Sequence, residues 1–279
     1  MTKDLWRVDR LDLDGYLARL GLSARPPSRA ALDELHEAHV RRFTFDNIDV
    51  VLRGHPGVDL DAVQEKFVGR GRGGYCFEHS TVFAAALERL GYDVRRHLGR
   101  VGDPADGTAQ GRTHMVVEAR LDGQRLLSDP GFGMSLLRPV PMEDGAQDDH
   151  LGRRYRIEAD HDHDTWAMRR WRDDGWQMMH TTDELPVLPA DVVIGHHYTS
   201  THPDSHFVRT LMIARHLPDR HVTLTEATLT VRRPGVPTEH RPLHDGELAD
   251  WLRVLAVPLT PDEEHRLLHW AAEAAGSRG

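Results

Sequence analysis

Cys76 is the only cysteine in 279 residues. One thiol makes no intramolecular disulfide, no zinc ribbon and no Cys-x-x-Cys redox pair, so it is either a packed core residue or a nucleophile. It follows the run Gly69-Arg70-Gly71-Arg72-Gly73-Gly74 and opens residues 76–90, which read as a helix closed by Gly91. In the first turn of a helix a thiol faces unpaired N–H groups and the positive end of the macrodipole, which favours the thiolate. Thiolate catalysis also needs a base, and the base needs an acceptor that orients it. His114 and Asp129 are of the right types. They stand at the far ends of two apolar runs, 113–121 and 124–128, joined by Asp122-Gly123, a strong two-residue hairpin signal. Pairing about that turn leaves 114 and 129 slightly offset on one sheet face, within reach along a twisted ladder.

Other motifs carry less. The glycine run satisfies G-x-G-x-x-G, but that pattern has meaning only between a strand and a helix, and residues 61–68 before it read as helix. No Walker lysine is available, since the two lysines are Lys3 and Lys66. No G-x-S-x-G or H-E-x-x-H occurs. His161-Asp162-His163-Asp164 and His196-His197 have metal-ligand types, but an acidic turn between strands explains the first equally well, and the expectation is no metal site.

Elements able to hold such a site are legible around it. Leucines and Tyr16 recur at helical spacing over 11–20, and Ser28 is placed to cap a helix over 29–42. A short helix is expected over 59–68. From about residue 92 the period becomes two: 94–101, 113–121, 124–128, 155–159, 166–171 and 176–181 read as strands, with Asp174-Gly175 as a second hairpin turn and 102–111 as a polar loop. Beyond residue 190 the pattern is mixed: 207–211 and 221–231 look extended and 246–254 helical. Thr260-Pro261-Asp262-Glu263 is a capping box that opens a last helix to 275. The expected class is α+β in three subdomains: helical over 1–91, an antiparallel sheet suggesting a barrel over 92–195, and mixed over 196–279.

A net charge of −9 argues against nucleic-acid binding through phosphate neutralisation. Charges interrupt the first fourteen residues and no long apolar run occurs, so neither a signal peptide nor a membrane span is expected, and the cytoplasm is the expected compartment.

These residues carry a resemblance. Arg72-Gly73-Gly74-Tyr75-Cys76-Phe77-Glu78 resembles the catalytic signature of the arylamine N-acetyltransferases. Thr113-His114-Met115-Val116 and Asp129-Pro130-Gly131-Phe132-Gly133 resemble that family's His and Asp segments, in the same order. Phe43-Thr44-Phe45-Asp46-Asn47-Ile48-Asp49 is similar to its P-F-E-N-L motif, and residues 198–207 to its late S-T-x-P-x-S-x-F segment. The resemblance implies a helical bundle, a β-barrel and an α/β lid with a Cys76–His114–Asp129 triad. It implies acetyl transfer from acetyl-CoA, a co-substrate with no tightly bound cofactor, to a small aromatic amine. Thr113, Gly131, Phe132 and Gly133 would line the pantetheine and acceptor cleft, and a monomer or weak homo-oligomer is expected. Alternatives are an amide synthase of the same fold acting on a carrier-bound polyketide, and a transglutaminase-like thiol hydrolase. Three positions depart from the family's pattern. Asp46 replaces a Glu and is expected to pair with Arg72. Pro130 follows the triad Asp in place of Val. His79 and Ser80 follow Glu78 with no chemical role assigned.

Overall fold

The computed structural model describes residues 4–103, 111–172 and 175–276; residues 104–110 of the expected loop and Asp174 of the expected second turn lie outside them. The first part is helical: α1 (Leu13–Leu20), α2 (Arg29–Arg42), α3 (Ile48–Val51), α4 (Leu60–Gln64) continuing into a π-helical turn Glu65–Gly69, and α5 (Cys76–Arg89). Local chemistry sets their ends. Asp12 accepts from the Gly15 N–H, Ser28 from the Ala31 N–H, and Gly21 stops α1 at φ 72°. α5 is buried along nearly its whole length, so its packing rather than an amphipathic stripe fixes it at the centre of the molecule.

Two sheets follow. One has the order β5-β4-β3-β2-β9-β8-β7-β6, all antiparallel: β2 (Asp93–Val101), β3 (His114–Leu121), β4 (Gln124–Ser128), β5 (Val140–Pro141), β6 (Gln147–His150), β7 (Arg153–Asp160), β8 (Thr165–Arg172) and β9 (Gly175–Asp183). Its two edges approach each other, so the sheet is a nearly closed barrel. The second runs β1 (Phe45–Asp46), β10 (Ile213–His216), β11 (His221–Leu224), β12 (Thr228–Arg232) and β13 (Glu239–Pro242). It is packed by α8 (Glu247–Val254) and α9 (Pro261–Gly276) through Leu248, Leu252, Leu267 and Ala271. In chain order α6 (Pro189–Thr201), which crosses position 195, and α7 (His206–Arg209) follow β9 and precede β10. The class is the expected α+β. No helix among the described residues is long and apolar enough to cross a membrane.

The hairpin that carries His114 has the register its turn implies. Asp122 (φ 50°) and Gly123 (φ 80°) both take positive φ, as a type I′ turn demands, and Leu121 faces Gln124 and Val117 faces Ser128. The segment expected to be extended over 207–211 differs: residues 206–209 form α7, because the Ser205 hydroxyl accepts from the Phe207 N–H and starts a helical turn. His161–Asp164 form the exposed turn between β7 and β8.

Histidine takes structural roles in the core. The Tyr16 hydroxyl donates to His39 Nδ1 (2.6 Å), His39 Nε2 to His79 Nδ1 (2.8 Å), and His79 Nε2 to the Thr44 carbonyl (3.0 Å). A carbonyl only accepts, so the whole chain of donors is fixed from that end with both rings neutral. Burial pushes the pKa of His36 and His79 down to about 4 and of His221 to about 3, and holds His39 and His216 well below the ordinary value. The unfolded chain therefore binds more protons than the folded one, and stability falls as pH drops from about 6.5 toward 4. His114, whose pKa is raised, contributes in full below about pH 6.5 and does not reverse the trend. We expect the urea midpoint to be lower at about pH 5 than at about pH 6.5, each such ring contributing up to about 1.4 kcal/mol per pH unit; equal midpoints would contradict this.

Candidate functional site

Cys76 is the first residue of α5, and its backbone approach is made by glycine. A Cβ on Gly73 would sit 1.8 Å from the Thr44 carbonyl oxygen, so only glycine lets the segment before the helix lie against residue 44. The helix start is then fixed by Glu78, whose carboxylate accepts from the Tyr75 N–H (3.0 Å).

Glu78 has no solvent exposure and belongs to a chain of buried charges. Lys66 Nζ bridges Glu78 Oε1 and Asp49 Oδ2, both at 2.7 Å. Asp49 pairs with Arg72 (2.6 Å), and Arg72 with Glu263 (2.8 Å) at the start of α9. Burial alone would raise the Glu78 pKa, but the Lys66 ammonium, with His55 at 3.3 Å, holds it below the usual carboxylate range. The acid that pairs with Arg72 is therefore Asp49, one helical turn after the expected Asp46. Asp46 instead accepts from the Thr44 hydroxyl (2.6 Å) and the Ile48 N–H (3.3 Å).

His114 and Asp129 come together as the hairpin register implies, with His114 Nε2 donating to Asp129 Oδ1 at 3.1 Å. Both are buried. The Cys76 thiol donates to the Thr113 carbonyl (3.4 Å) and interacts with His114. Burial by itself disfavours the His114 imidazolium. The charge and hydrogen bond of Asp129 outweigh it, with Cys76 adding to the same effect, and the pKa is pushed up to about 10. Burial likewise acts to raise Asp129, and the two facing histidines bring it below the carboxylate range.

Gly131 and Phe132 join this cluster directly. A Cβ on Gly131 would lie 2.7 Å from Cys76 Cα and 3.1 Å from His79 Cβ, so glycine is what lets the loop after β4 rest on the start of α5. The Phe132 ring meets His114 edge-on, centroids 5.3 Å apart. Gly133 is one step out: it faces the Phe45 ring at ordinary contact distance, and its carbonyl accepts from His221 Nε2 (2.8 Å). Thr113 reaches the site through its carbonyl; its hydroxyl turns to Gly111 O. Ser80 Oγ donates to the Met115 carbonyl (2.6 Å), tying α5 to β3.

One residue escaped the sequence reading. His180 of β9 donates from Nε2 to Asp129 Oδ2 at 3.1 Å, so each oxygen of the carboxylate holds one histidine. It arrives there because β9 pairs with β2, where Val101 faces His180. No local signal marks that long-range pairing. The donor atoms of His114, Asp129 and His180 lie within 4.8 Å of one another, close enough for three metal ligands, but the two rings already satisfy the carboxylate. His196, half of the second metal candidate, accepts from the Tyr75 hydroxyl instead, and burial pushes its pKa down to about 4.

A family model described as N-acetyltransferase matches residues 29–256. The chain is 38% identical over 240 residues to the arylamine N-acetyltransferase of Mycolicibacterium smegmatis, covering 82% of this chain and 85% of that protein. The arylamine N-acetyltransferase structure from Mycobacterium abscessus superposes with a TM-score of 0.90 at 31% identity, covering 98% of this chain and 99% of that one. The Mycobacterium marinum arylamine N-acetyltransferase solved in complex with CoA gives 0.88 at 31% identity, covering 94% and 99%.

Two outcomes follow from the electrostatics. Lys66→Met leaves the buried Glu78 without its ammonium partner and Asp49 with Arg72 alone, and should cost about 3–5 kcal/mol of unfolding free energy by urea titration. A loss under about 1 kcal/mol would mean that the network is dispensable. In an NMR titration the His114 ring should stay charged throughout the neutral range. In Asp129→Asn burial prevails and its pKa should fall below about 6.5; unchanged titration would remove Asp129 as the cause.

Proposed function

The chain belongs to the arylamine N-acetyltransferase family, and we propose that it moves an acetyl group from acetyl-CoA to an arylamine, arylhydrazine or N-arylhydroxylamine through a thioester on Cys76. The observation that carries this reading is a buried Asp129 held on both oxygens by histidines, one of which, His114, has its pKa raised by that carboxylate and interacts with the only thiol of the chain.

The first half-reaction is thiol exchange. The Cys76 thiolate attacks the acetyl carbonyl of the donor, its S–C bond forms, and the bond to the CoA sulfur breaks. The departing sulfur takes the proton of the His114 imidazolium and leaves as CoA. One thioester replaces another, so the step has little driving-force penalty, and the barrier lies in the charge on the carbonyl oxygen. The backbone N–H of Cys76, at the first position of α5, is the donor assigned to that oxygen. In the second half-reaction the amine attacks the acetyl-cysteine, neutral His114 accepts its proton, and the Cys76 thiolate departs from the amide. Asp129 orients the ring and stabilises its charged form without itself being protonated. His180 positions Asp129. Phe132 supplies an apolar ring beside the reacting atoms for an aromatic acceptor, while Thr113, Gly131 and Gly133 bound the space through which pantetheine and acceptor approach.

Acetyl-CoA alone should add one acetyl group to Cys76 by intact mass, and a later arylamine should remove it. A protein left unmodified would overturn the first half-reaction. Cys76→Ser should fold normally and lose transfer. Asp129→Asn should keep the fold and lose about 10³- to 10⁴-fold in kcat, the scale seen when a triad acid is neutralised; near-normal turnover would mean that another group orients His114.

A further inference from the structure

Helix α6 is uncharged and largely apolar on two opposite sides. Val192, Gly195 and Thr199 face inward and are buried, and Gly195 lies so close to Phe77 that a Cβ there would meet its ring at 2.7 Å. On the other side Val193, Ile194 and Tyr198 are exposed, Ile194 by 69%. Asp, Glu, Lys and Arg make up 28% of the chain, yet Asp191 is the one such residue among the thirteen of α6. Its carboxylate is taken up in accepting from the Leu188 N–H (2.8 Å). A helix that meets water on one side ordinarily carries charge there, and one without a polar stripe is a helix buried on both sides. The folded chain covers one side of α6.

The exposed apolar side chains gather rather than scatter. Eleven large ones are exposed among the described residues, and six of them, Leu5, Leu185, Leu188, Val193, Ile194 and Tyr198, stand on or beside this side of α6. Trp6 connects them. It lines a recess of about 90 Å³ with Leu5, Val58 and Val193, and a second of about 350 Å³ with Leu185 and Val187. Asp4 accepts the Trp6 N–H (3.0 Å) and the Arg96 guanidinium lies over its ring (4.1 Å), so the segment is already ordered. Charge lies at the rim, where Asp61 neutralises Arg7 (3.3 Å) and Arg10 (2.7 Å). An apolar centre inside a polar rim is the anatomy of a protein interface. At about 100 Å² for each half-exposed side chain the six offer about 600 Å², the upper end for one patch on a monomer and near the share that one partner brings to a stable dimer.

The patch carries both halves of a fit to itself. Ile194 stands exposed beside the smaller recess without lining it, and that recess, about three waters' worth of space, has room for one aliphatic side chain. A two-fold axis beside α6 brings the Ile194 of each copy to the recess of the other, the reciprocal contact that closes a symmetric dimer. We propose that this face binds a second copy of the chain, as an isologous homodimer with α6 at its centre. Each α6 is then covered on both sides.

Sedimentation velocity on the full chain tests this. Wild type should pass from one chain to two between about 1 and about 100 µM, the weak end of affinities for an interface of this size. Ile194→Arg puts a charge on the projecting side chain and Val193→Trp fills the recess. Each should weaken association by about tenfold or more, as truncation of a central contact does. Both positions are exposed, so at about 1 µM the urea midpoints of the variants should match that of wild type, which separates loss of the face from loss of the fold. A wild type that stays monomeric at about 100 µM overturns the proposal, and so does a dimer that either variant keeps at wild-type affinity. A monomeric wild type that floats with phosphatidylcholine vesicles, where Ile194→Arg does not, would assign the face to a lipid surface and overturn the second copy as its occupant.

Discussion

A carboxylate with no solvent exposure, Glu78, stands at the third position of the helix that Cys76 opens, and the site depends on how its charge is met. Glu78 caps the Tyr75 N–H and so sets where α5 begins and where Cys76 points. An unpaired charge there would be intolerable in a medium of low dielectric, so Lys66, Asp49, Arg72 and Glu263 alternate in sign away from it until the chain reaches the start of α9. Residues more than 180 positions apart in sequence are thereby locked to one helix end. Apolar residues of similar volume could fill the same space, but they would not specify which segments meet. Glu263 joins two scales, since the carboxylate that accepts from the Thr260 N–H at the start of its own helix also takes Arg72 and Arg70.

The second half of the site is held by a different device. The barrel presents His114 and Asp129 from one hairpin, and the loop after that hairpin must touch the helix that carries Cys76. Gly131 makes this possible by having no Cβ. Close backbone packing across the joint leaves little freedom to the thiol or to the ring. Asp129 is then clamped between His114 and His180, two neighbours with different tasks. His114 is driven to its charged form, while burial keeps the pKa of His180 lowered despite the same carboxylate. One buried acid with a charged and a neutral histidine is an asymmetric arrangement, suited to moving a proton on one side only.

The histidines show how burial sorts chemistry from structure. His39, His79, His216 and His221 are as buried as His114, but their partners are aromatic hydroxyls, other rings and carbonyls rather than carboxylates. Without a facing negative charge, desolvation wins and the rings stay neutral. His114 differs from them only in having Asp129 and a thiol beside it.

Much of this was legible in the sequence wherever the cause was local. The Asp122-Gly123 turn sets the β3–β4 register because both residues must take positive φ, and the register puts His114 and Asp129 together. The Ser28 cap and the Thr260–Glu263 box likewise act within a single turn of helix. What the sequence alone left undecided involves closure over long distances. That His180 joins Asp129 follows from β9 pairing with β2 across some eighty residues. That Arg72 chooses Asp49 over Asp46 follows from how α3 packs near Lys66. Local rules act through the dihedral angles of a few neighbouring residues, so they can be read from the chain. Long-range pairing is decided by which surfaces bury one another, and that depends on every element at once.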